Sequence, residues 1–477
     1  MKPSLRSLVL VLVGATLLAS PRAARADDWE DAKREFRAAQ KNPDTAVRSD
    51  AYVVLSGWDT PEAIDEILSA LGREQHPAVM RAALRALGSA RSKEALASFA
   101  DALAKRKGEE RLFLLMALGD QPSSASSDEL LLGELAGKDG ASAALAARAL
   151  GSRRVLAARD ALLAALQHED NRVRSAAAWA LQGLATPPHE APPPGQPDPG
   201  PPPVPEEMRG KSVITALVDA VFAKDAGVER MPLLAALEQI TGQAYSLDEK
   251  AWRALLAGTD LASIRPRPVE VPHFFGIPIY GHRVALVIDK STRYHDIHPF
   301  SDDRLREVCE VPGARAIAHF KLLRVEDLVA AHAMRLLEDL PSGVDIEVLF
   351  FNKAVHPVFG KLTKAGSAAR KKLMEAIEEL KVDDGIAAYD ALNEALDLGG
   401  KSFAQRWKKG VDEIVYVTVN IPTKGEITDA GEVASAIGLR ARMGAVRVHT
   451  VGILTHAYEL CRTLAGDTGG IYRDLTK

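Results

Sequence analysis

A motif that recurs every 31 or 32 residues is the strongest constraint on the fold of this chain. In most copies a short polar turn such as His76-Pro77 precedes an apolar helix, and a second apolar helix such as 93–103 follows. Two helices cannot bury both of their apolar faces alone, so such units are expected to stack into an all-α solenoid. The copies end on Leu55, Leu87, Leu118, Leu150 and Leu181, which are spaced 32, 31, 32 and 31 residues apart.

Glycines follow the repeated leucine in three copies, at Gly88, Gly119 and Gly151. We expect them to end the first helix of each unit in the left-handed conformation that glycine adopts with least strain. The repeat resembles the HEAT-type repeat and covers residues 27–186. The alternative is an ordinary alanine-rich bundle, against which the regular period argues. The resemblance implies a protein-binding scaffold with a long concave surface.

The first 26 residues have the order of a secretory signal peptide. Basic residues come first, an apolar run spans residues 8–19, and Ala24-Arg25-Ala26 supplies a small-residue cleavage site. The run is too short to cross a bilayer comfortably, although a retained anchor is the alternative. We therefore expect an exported chain that begins at Asp27, is periplasmic or extracellular, and has no transmembrane segment once mature.

The charge of the chain bears on nucleic-acid binding, and its cysteine content bears on disulfide formation. Removal of the signal takes four basic residues and no acid, which changes the formal charge from −4 to −8. An acidic chain without a basic stripe is not expected to bind nucleic acid. The cysteines are Cys309 and Cys461, which either pair in an oxidising compartment or remain independent thiols.

A proline-rich linker is predicted at residues 187–206, since 11 of the 19 residues from 187 to 205 are proline. Such a segment forms neither helix nor sheet ladders and stays extended. Its simplest role is to hold two domains apart. Residues 207–269 are predicted to be a further helical segment that packs on one neighbour or the other.

The hydrophobic pattern changes in residues 270–477. Continuous apolar runs at 283–289, 345–351, 413–419 and 446–453 read as buried strands, and helical segments lie between them. Buried strands that alternate with helices predict an α/β doubly wound domain, in which a mostly parallel sheet has helices on both faces.

Several short motifs give this region a family resemblance. Asp289-Lys290-Ser291, Tyr389-Asp390-Ala391-Leu392 and Ile421-Pro422-Thr423 occur in that order, before the closing Gly466-Asp467-Thr468-Gly469-Gly470. Their order and the helices between them resemble a von Willebrand factor A domain. The resemblance implies a metal-ion-dependent adhesion site at the carboxyl end of the sheet, where Mg²⁺ takes its oxygen ligands from three loops.

The residues at that site depart from the family pattern. Asp289 and Ser291 remain, but Arg293 replaces the second serine, Ile386 the threonine and Val419 the second aspartate. We therefore expect a residual metal site at Asp289 and Ser291 without a standard bound metal or any other cofactor. Asp289 would then pair with Arg293 or Lys290, or accept hydrogen bonds from backbone N–H groups.

An insertion at residues 294–323 follows the first loop. It contains His295, Asp296 and His298, which would be a small set of transition-metal ligands if they converged, and solvated polar residues if they did not. Should the lost metal site have a functional replacement, it is expected here.

The sequence contains none of the common catalytic motifs, such as G-x-S-x-G, H-E-x-x-H or G-x-G-x-x-G. The leading hypothesis is an exported protein–protein interaction scaffold that is not an enzyme. One rival is a Mg²⁺-dependent adhesion protein that uses Asp289, Ser291 and an acid such as Asp384. Another is an enzyme or hydrolase regulator with its centre in the 294–323 insertion.

Overall fold

The computed structural model describes residues 26–74, 76–186, 200, 202–318 and 322–476. The predicted signal peptide, apart from Ala26, and most of the predicted proline-rich linker lie outside these residues. None of the helices within the described ranges combines the length and the hydropathy needed to cross a bilayer.

The first part of the chain is a helical solenoid. Its helices are α1 (Ala26–Ala39), α2 (Thr45–Ser56), α3 (Pro61–Leu71), α4 (Pro77–Gly88), α5 (Lys93–Lys105), α6 (Gly108–Gly119), α7 (Ala125–Leu135), α8 (Gly140–Ser152), α9 (Arg159–Ala165) and α10 (Asn171–Ala185). Helices α2, α4, α6, α8 and α10 contact one another in succession and form one layer, which we call the leucine layer. The five repeated leucines lie on these helices, and none is more than 1% exposed. The predicted solenoid is therefore confirmed.

The repeat glycines lie at or near the ends of their helices, as predicted, but the predicted left-handed conformation is wrong. Gly88 and Gly119 are the last residues of their helices, and the residues that follow have right-handed dihedral angles. A Cβ atom on Gly151 would lie 2.5 Å from the Cα of Ala180, and one on Gly119 would lie 2.8 Å from the Cβ of Ala149. These glycines allow neighbouring helices of the leucine layer to approach closely.

A second group of helices extends the solenoid beyond the linker. Helices α11 (Lys211–Val221), α12 (Arg230–Thr241) and α13 (Glu249–Leu256) share its hydrophobic core, and α12 packs on α10. Gly242 closes α12 in the left-handed conformation, with φ of 68°. Of the two neighbours that the sequence left open, the segment therefore packs on the solenoid.

The last part of the chain is an α/β domain. Its strands are β1 (His273–Phe274), β2 (Ile277–Pro278), β3 (Arg283–Asp289), β4 (Asp345–Phe351), β5 (Val355–Pro357), β6 (Thr363–Lys364), β7 (Glu413–Thr418), β8 (Arg447–Ile453) and β9 (Tyr472–Leu475). The main sheet has the order β5-β4-β3-β7-β8-β9, with β6 also paired to β4. Strands β3, β4, β7, β8 and β9 are parallel, whereas β5 and β6 are antiparallel to β4.

Helices cover both faces of this sheet, as the sequence predicts. They are α14 (Asp302–Cys309), α15 (Val325–Asp339), α16 (Ser367–Glu379), α17 (Ala388–Asp397), α18 (Phe403–Lys409), α19 (Ala430–Met443) and α20 (Tyr458–Thr468). Helices α14 to α16 contribute to one buried cluster, and α17, α19 and α20 contribute to the other. Cys309 and Cys461 are free, buried thiols that belong to different clusters.

The solenoid and the α/β domain are in direct contact. Helix α19 packs against α4 and α8 of the leucine layer, and its residues Leu439 and Met443 belong to the hydrophobic core of the solenoid. The prediction that the linker holds the two domains apart is therefore wrong. Because both domains present apolar surface to each other, burial of that surface favours docking.

Candidate functional site

The carboxyl end of the sheet carries the residues expected at a metal site, and Asp289 lies at its centre. Asp289 is the last residue of β3 and is fully buried. Its Oδ1 accepts a hydrogen bond from the Ser291 N–H at 2.9 Å, and its Oδ2 accepts from the Val419 N–H at 3.0 Å and from Thr418 Oγ1 at 3.1 Å. Burial raises the pKa of Asp289, and these hydrogen bonds oppose that rise.

The surroundings of Asp289 do not fit a standard Mg²⁺ site. Ser291 is buried, and its Oγ has no well-oriented hydrogen-bond partner among the described residues, so it remains a potential ligand. Ile386 and Val419 are also buried and supply only apolar side chains where the family has oxygen ligands. Mg²⁺ requires a nearly octahedral set of oxygens, and three of the five protein ligands are missing, because Arg293 also replaces a serine.

The two cations of the first loop do not pair with Asp289. Arg293 Nε donates to Asp296 Oδ2 at 3.2 Å. The Lys290 side chain is buried, and its Nζ donates to the carbonyl of Ile377 at 2.7 Å. Of the expected roles for Asp289, the structure therefore supports only that of an acceptor for backbone N–H groups.

The acidic pair that follows α16 borders the first loop. The backbone of Asp383 forms an isolated parallel β-bridge with Ser291, and its carboxylate forms an ion pair with Lys353 Nζ at 2.7 Å. Asp384 is exposed, and its Oδ1 accepts the Gly385 N–H. Neither carboxylate is bonded to Ser291 or Asp289 among the contacts of the described residues.

The polar residues of the insertion diverge. His295 Nδ1 lies 2.5 Å from Glu326 Oε2, and the ring of His298 contacts the carbonyl of Leu322 at 2.7 Å. Asp296 binds Arg293 instead. Across the described residues, no three histidine, cysteine or acidic side chains are grouped as metal ligands would be.

Apolar side chains are exposed on the loops, and at the start of α20, at this edge of the sheet. Ile297 is 76% exposed and Leu323 is 67% exposed, and backbone hydrogen bonds join the two segments that carry them. Ile421 follows β7 and Tyr458 follows β8, and these side chains are 49% and 46% exposed. We call these four residues the apolar rim. Apolar side chains that are exposed at one edge of a sheet are candidates for contacts with another protein.

The opposite edge of the sheet rests on the solenoid through Arg172. This side chain is at the start of α10 and is 2% exposed. Its guanidinium donates to the carbonyls of Trp407 at 2.9 Å, Arg406 at 3.1 Å, Gly410 at 3.1 Å, Val411 at 2.9 Å and also Gly444. Burial lowers the pKa of Arg172 to about 10, so it keeps its charge at neutral pH.

Further polar contacts join the two domains along the leucine layer. Asp170 accepts a hydrogen bond from Trp407 Nε1 at 2.7 Å. The guanidinium of Arg148 stacks on Trp179 at 4.5 Å and donates to the carbonyl of Asp467 at 2.9 Å. A Cβ atom on Gly469 would lie 2.6 Å from Trp179, which shows how tightly α20 meets α10.

Buried ionisable groups also lie at the amino-terminal edge of the sheet, which is the edge that Arg172 contacts. Glu413 accepts hydrogen bonds from His449 Nε2 at 3.0 Å and from the Gly281 N–H at 2.7 Å. Burial alone would raise the pKa of Glu413, but these bonds and the charge of Arg447 outweigh burial and hold it below its usual value. Arg447 also donates to the carbonyl of Val228, which ties β8 to the helical segment before the sheet.

Two family models match the chain. Residues 36–119 and 129–193 match HEAT repeats. Residues 324–474 match the von Willebrand factor type A domain. The first part of the chain thus contains HEAT repeats, and the last part contains a von Willebrand factor type A domain. Both families are typical protein-interaction modules. The first loop, which contains Asp289 and Ser291, lies outside the matched residues.

Solved structures similar to this chain include A domains of low sequence identity. BatB from Bacteroides thetaiotaomicron is 16% identical, with 41% of this chain and 90% of BatB covered and a TM-score of 0.28. A von Willebrand factor type A protein from Catenulispora acidiphila is 14% identical, with 42% and 40% covered and a TM-score of 0.29. Proximal thread matrix protein 1 from the mussel byssus is 15% identical, with 50% and 52% covered and a TM-score of 0.27. No curated protein matches the chain.

The sequence did not reveal the residues that dock the A domain. Asp170 belongs to a polar turn that the repeat pattern identified, but Arg172 has no distinguishing sequence context. Most of its partners are backbone carbonyls, which every residue possesses. The structure shows that Trp179 and Trp407, both half-buried, lie in this interface, and tryptophans often lie at interfaces.

Proposed function

We propose that this chain is an exported, non-catalytic protein-binding protein whose partner contacts the apolar rim of the A domain. The observation that carries this proposal is the orientation of the sheet. Its amino-terminal edge is bound to the leucine layer through Arg172, and the loops at its carboxyl edge lie at the other end of the strands. Open α/β sheets present their binding loops at that carboxyl edge.

The proposal gives the solenoid a different role from the one expected for a HEAT array. Part of its leucine layer is covered by the A domain, so the solenoid supports the A domain rather than offering that layer to a partner. A surface fixed on a rigid base loses less conformational entropy on binding than a surface on a flexible tether. Partner selection would then depend on the apolar rim.

Partner binding is proposed to be independent of divalent metal. Two ligand positions of the family site are apolar, and Asp289 already accepts three hydrogen bonds. Ser291 Oγ is the one observation that favours the rival, a Mg²⁺-dependent adhesion site, because it is buried without a well-oriented partner. Titration calorimetry with Mg²⁺ distinguishes the two, and binding at micromolar concentration that is lost in Asp289→Ala would favour the rival.

A photo-crosslinking experiment tests the proposed surface. A crosslinking residue is placed at Ile297 in the full chain and, as a control, at Val54, which is 66% exposed on α2. Envelope proteins should be captured through position 297, in the presence of EDTA, and not through position 54. Capture should fall when Leu323→Asp is added. Capture equally through both positions, or none through 297, would refute the proposal.

Export is tested separately. The signal peptide supports it, and cell fractionation of the full chain should place the protein outside the cytoplasm with its amino terminus at Asp27. A chain that lacks residues 1–26 should remain inside. Recovery of the full chain from the cytoplasm alone would contradict export without affecting the proposed binding surface.

A further inference from the structure

A half-enclosed cleft lies between the solenoid and the A domain, away from the apolar rim. Its volume is about 330 Å³. Met80 on α4 and Phe113 on α6 line the solenoid side, and Tyr389 on α17, Trp407 on α18 and Leu439 on α19 line the side of the A domain. The cleft therefore exists only when the two domains are docked.

The lining is suited to an apolar molecule. The aromatic and aliphatic side chains outnumber the polar ones, and Phe403 and Trp407 lie with ring centroids 5.9 Å apart. Ligand sites in proteins commonly have volumes of about 300–1,000 Å³, are mostly apolar, and occur at domain interfaces. The volume of about 330 Å³ lies within this range, so the cleft is large enough for a small ligand.

The charged groups of the cleft are not balanced. Arg172, Arg406 and Arg440 line it, together with a single acid, Glu109. Asp397 is not part of the lining, but it forms ion pairs with Arg440 at 2.6 Å and with Arg406 at 3.4 Å. One carboxylate is therefore shared by two guanidinium groups. Asp170 and Asp412 lie near Arg172 and offset its charge. Arg406 and Arg440 together therefore have one positive charge more than the single carboxylate that they share.

We propose that this cleft binds an amphipathic molecule with a single apolar chain and one negatively charged group. The chain would lie between Met80 and Leu439, and the anionic group would be attracted by Arg406 and Arg440. Arginine suits this role because its guanidinium keeps its charge and offers several donors to a carboxylate. Free fatty acids and anionic surfactants share this chemistry.

Such a ligand would also stabilise the docked arrangement. It contacts both domains at once, and a molecule that binds only the folded, docked form raises the unfolding temperature as its concentration rises. The cleft is distinct from the apolar rim, so its ligand binding can be tested independently of the proposed protein binding.

Calorimetry with three ten-carbon probes tests the inference on the chain that begins at Asp27. Decanoate should bind with one site per chain, and neutral decanol and cationic decylamine should bind at least about tenfold more weakly. Equal binding of decanoate and decanol would refute the anionic part of the proposal. No decanoate binding at up to about 1 mM, still below micelle formation, would refute the whole.

Two variants locate the binding. Met80→Trp fills the cleft from the solenoid side and should abolish decanoate binding, whereas Met374→Trp, on an exposed position of α16, is the matched control and should leave it unchanged. Arg440→Gln removes a positive charge without filling the cleft. It should therefore weaken decanoate binding until its affinity is similar to that of decanol. If Met80→Trp does not fold, Arg440→Gln decides alone, and an unaltered preference for decanoate would refute the site.

Discussion

Replacing Arg172 by methionine is expected to weaken the docking of the A domain on the solenoid. Methionine keeps much of the apolar stem that packs near Trp407 but removes the five hydrogen bonds that the Arg172 guanidinium donates across the interface. The carbonyls of Gly410 and Val411 belong to buried residues and would lose this donor. An unsatisfied buried acceptor is unfavourable by about 1–3 kcal/mol, so two give about 2–6 kcal/mol.

Part of that loss is recovered, because the variant no longer has to remove a charged guanidinium from water. A net decrease of about 3–4 kcal/mol in the free energy of unfolding is therefore expected, against a typical total of about 5–15 kcal/mol. The decrease is concentrated in the contact between domains. The variant should thus show two separated transitions where the natural chain shows one.

Urea unfolding followed by tryptophan fluorescence measures both effects, because Trp179 and Trp407 lie in the interface. Arg34→Met is the matched control, since the Arg34 side chain is 74% exposed and forms an ion pair with Asp31 on the same helix. It should change the free energy of unfolding by less than about 0.5 kcal/mol. An Arg172→Met protein as stable as this control, with a single transition, would refute the inference that Arg172 holds the domains together.

Three further substitutions test other parts of the structure. Gly151→Ala should lower the free energy of unfolding by about 1–3 kcal/mol, because the added Cβ atom clashes with the neighbouring helix. Gly133→Ala is the control: its Cβ atom meets open space, so it should not lower the free energy of unfolding in the same urea assay. Glu413→Gln should lower the free energy of unfolding by about 3 kcal/mol at about pH 7. Since the folded-state pKa of Glu413 is lowered, this difference should shrink as the pH falls below about 4.5. A constant difference would show that the negative charge of Glu413 does not contribute to stability. Asp289→Asn places an amide group against backbone N–H donors. It should lower the free energy of unfolding by about 1–3 kcal/mol, with or without Mg²⁺. An effect seen only in buffer that contains Mg²⁺ would indicate a working metal site.

The local features of both domains could be predicted from the sequence. Leu87 and Leu150 are buried because the period places one apolar face on every unit. Strand β3 has the predicted bounds, 283–289, because an uninterrupted apolar run that ends in a carboxylate fits only a central strand. The loop comparison also placed Asp289 correctly at the end of that strand.

The contact between the domains could not be predicted in this way. A proline-rich linker indicates only that the chain is extended there, and says nothing about where the domains at its two ends lie. Gly151 illustrates the same limit, since a glycine after a repeated leucine fits either a helix end or a close helix contact, and only the position of Ala180 distinguishes them. Charge patterning offered no help, because Arg172 binds carbonyls rather than acids.

The Arg172 contacts also bear on how the protein is made. Solenoid units can form one after another as the chain emerges from the ribosome, since each unit contacts mainly its neighbours. Arg172, however, is 235 residues ahead of Trp407, so its carbonyl partners are synthesised much later. Until then the leucine layer would present an unpaired guanidinium and apolar surface to the solvent. In this period the nascent protein would depend most on chaperones, and truncated products that end before the A domain are expected to aggregate.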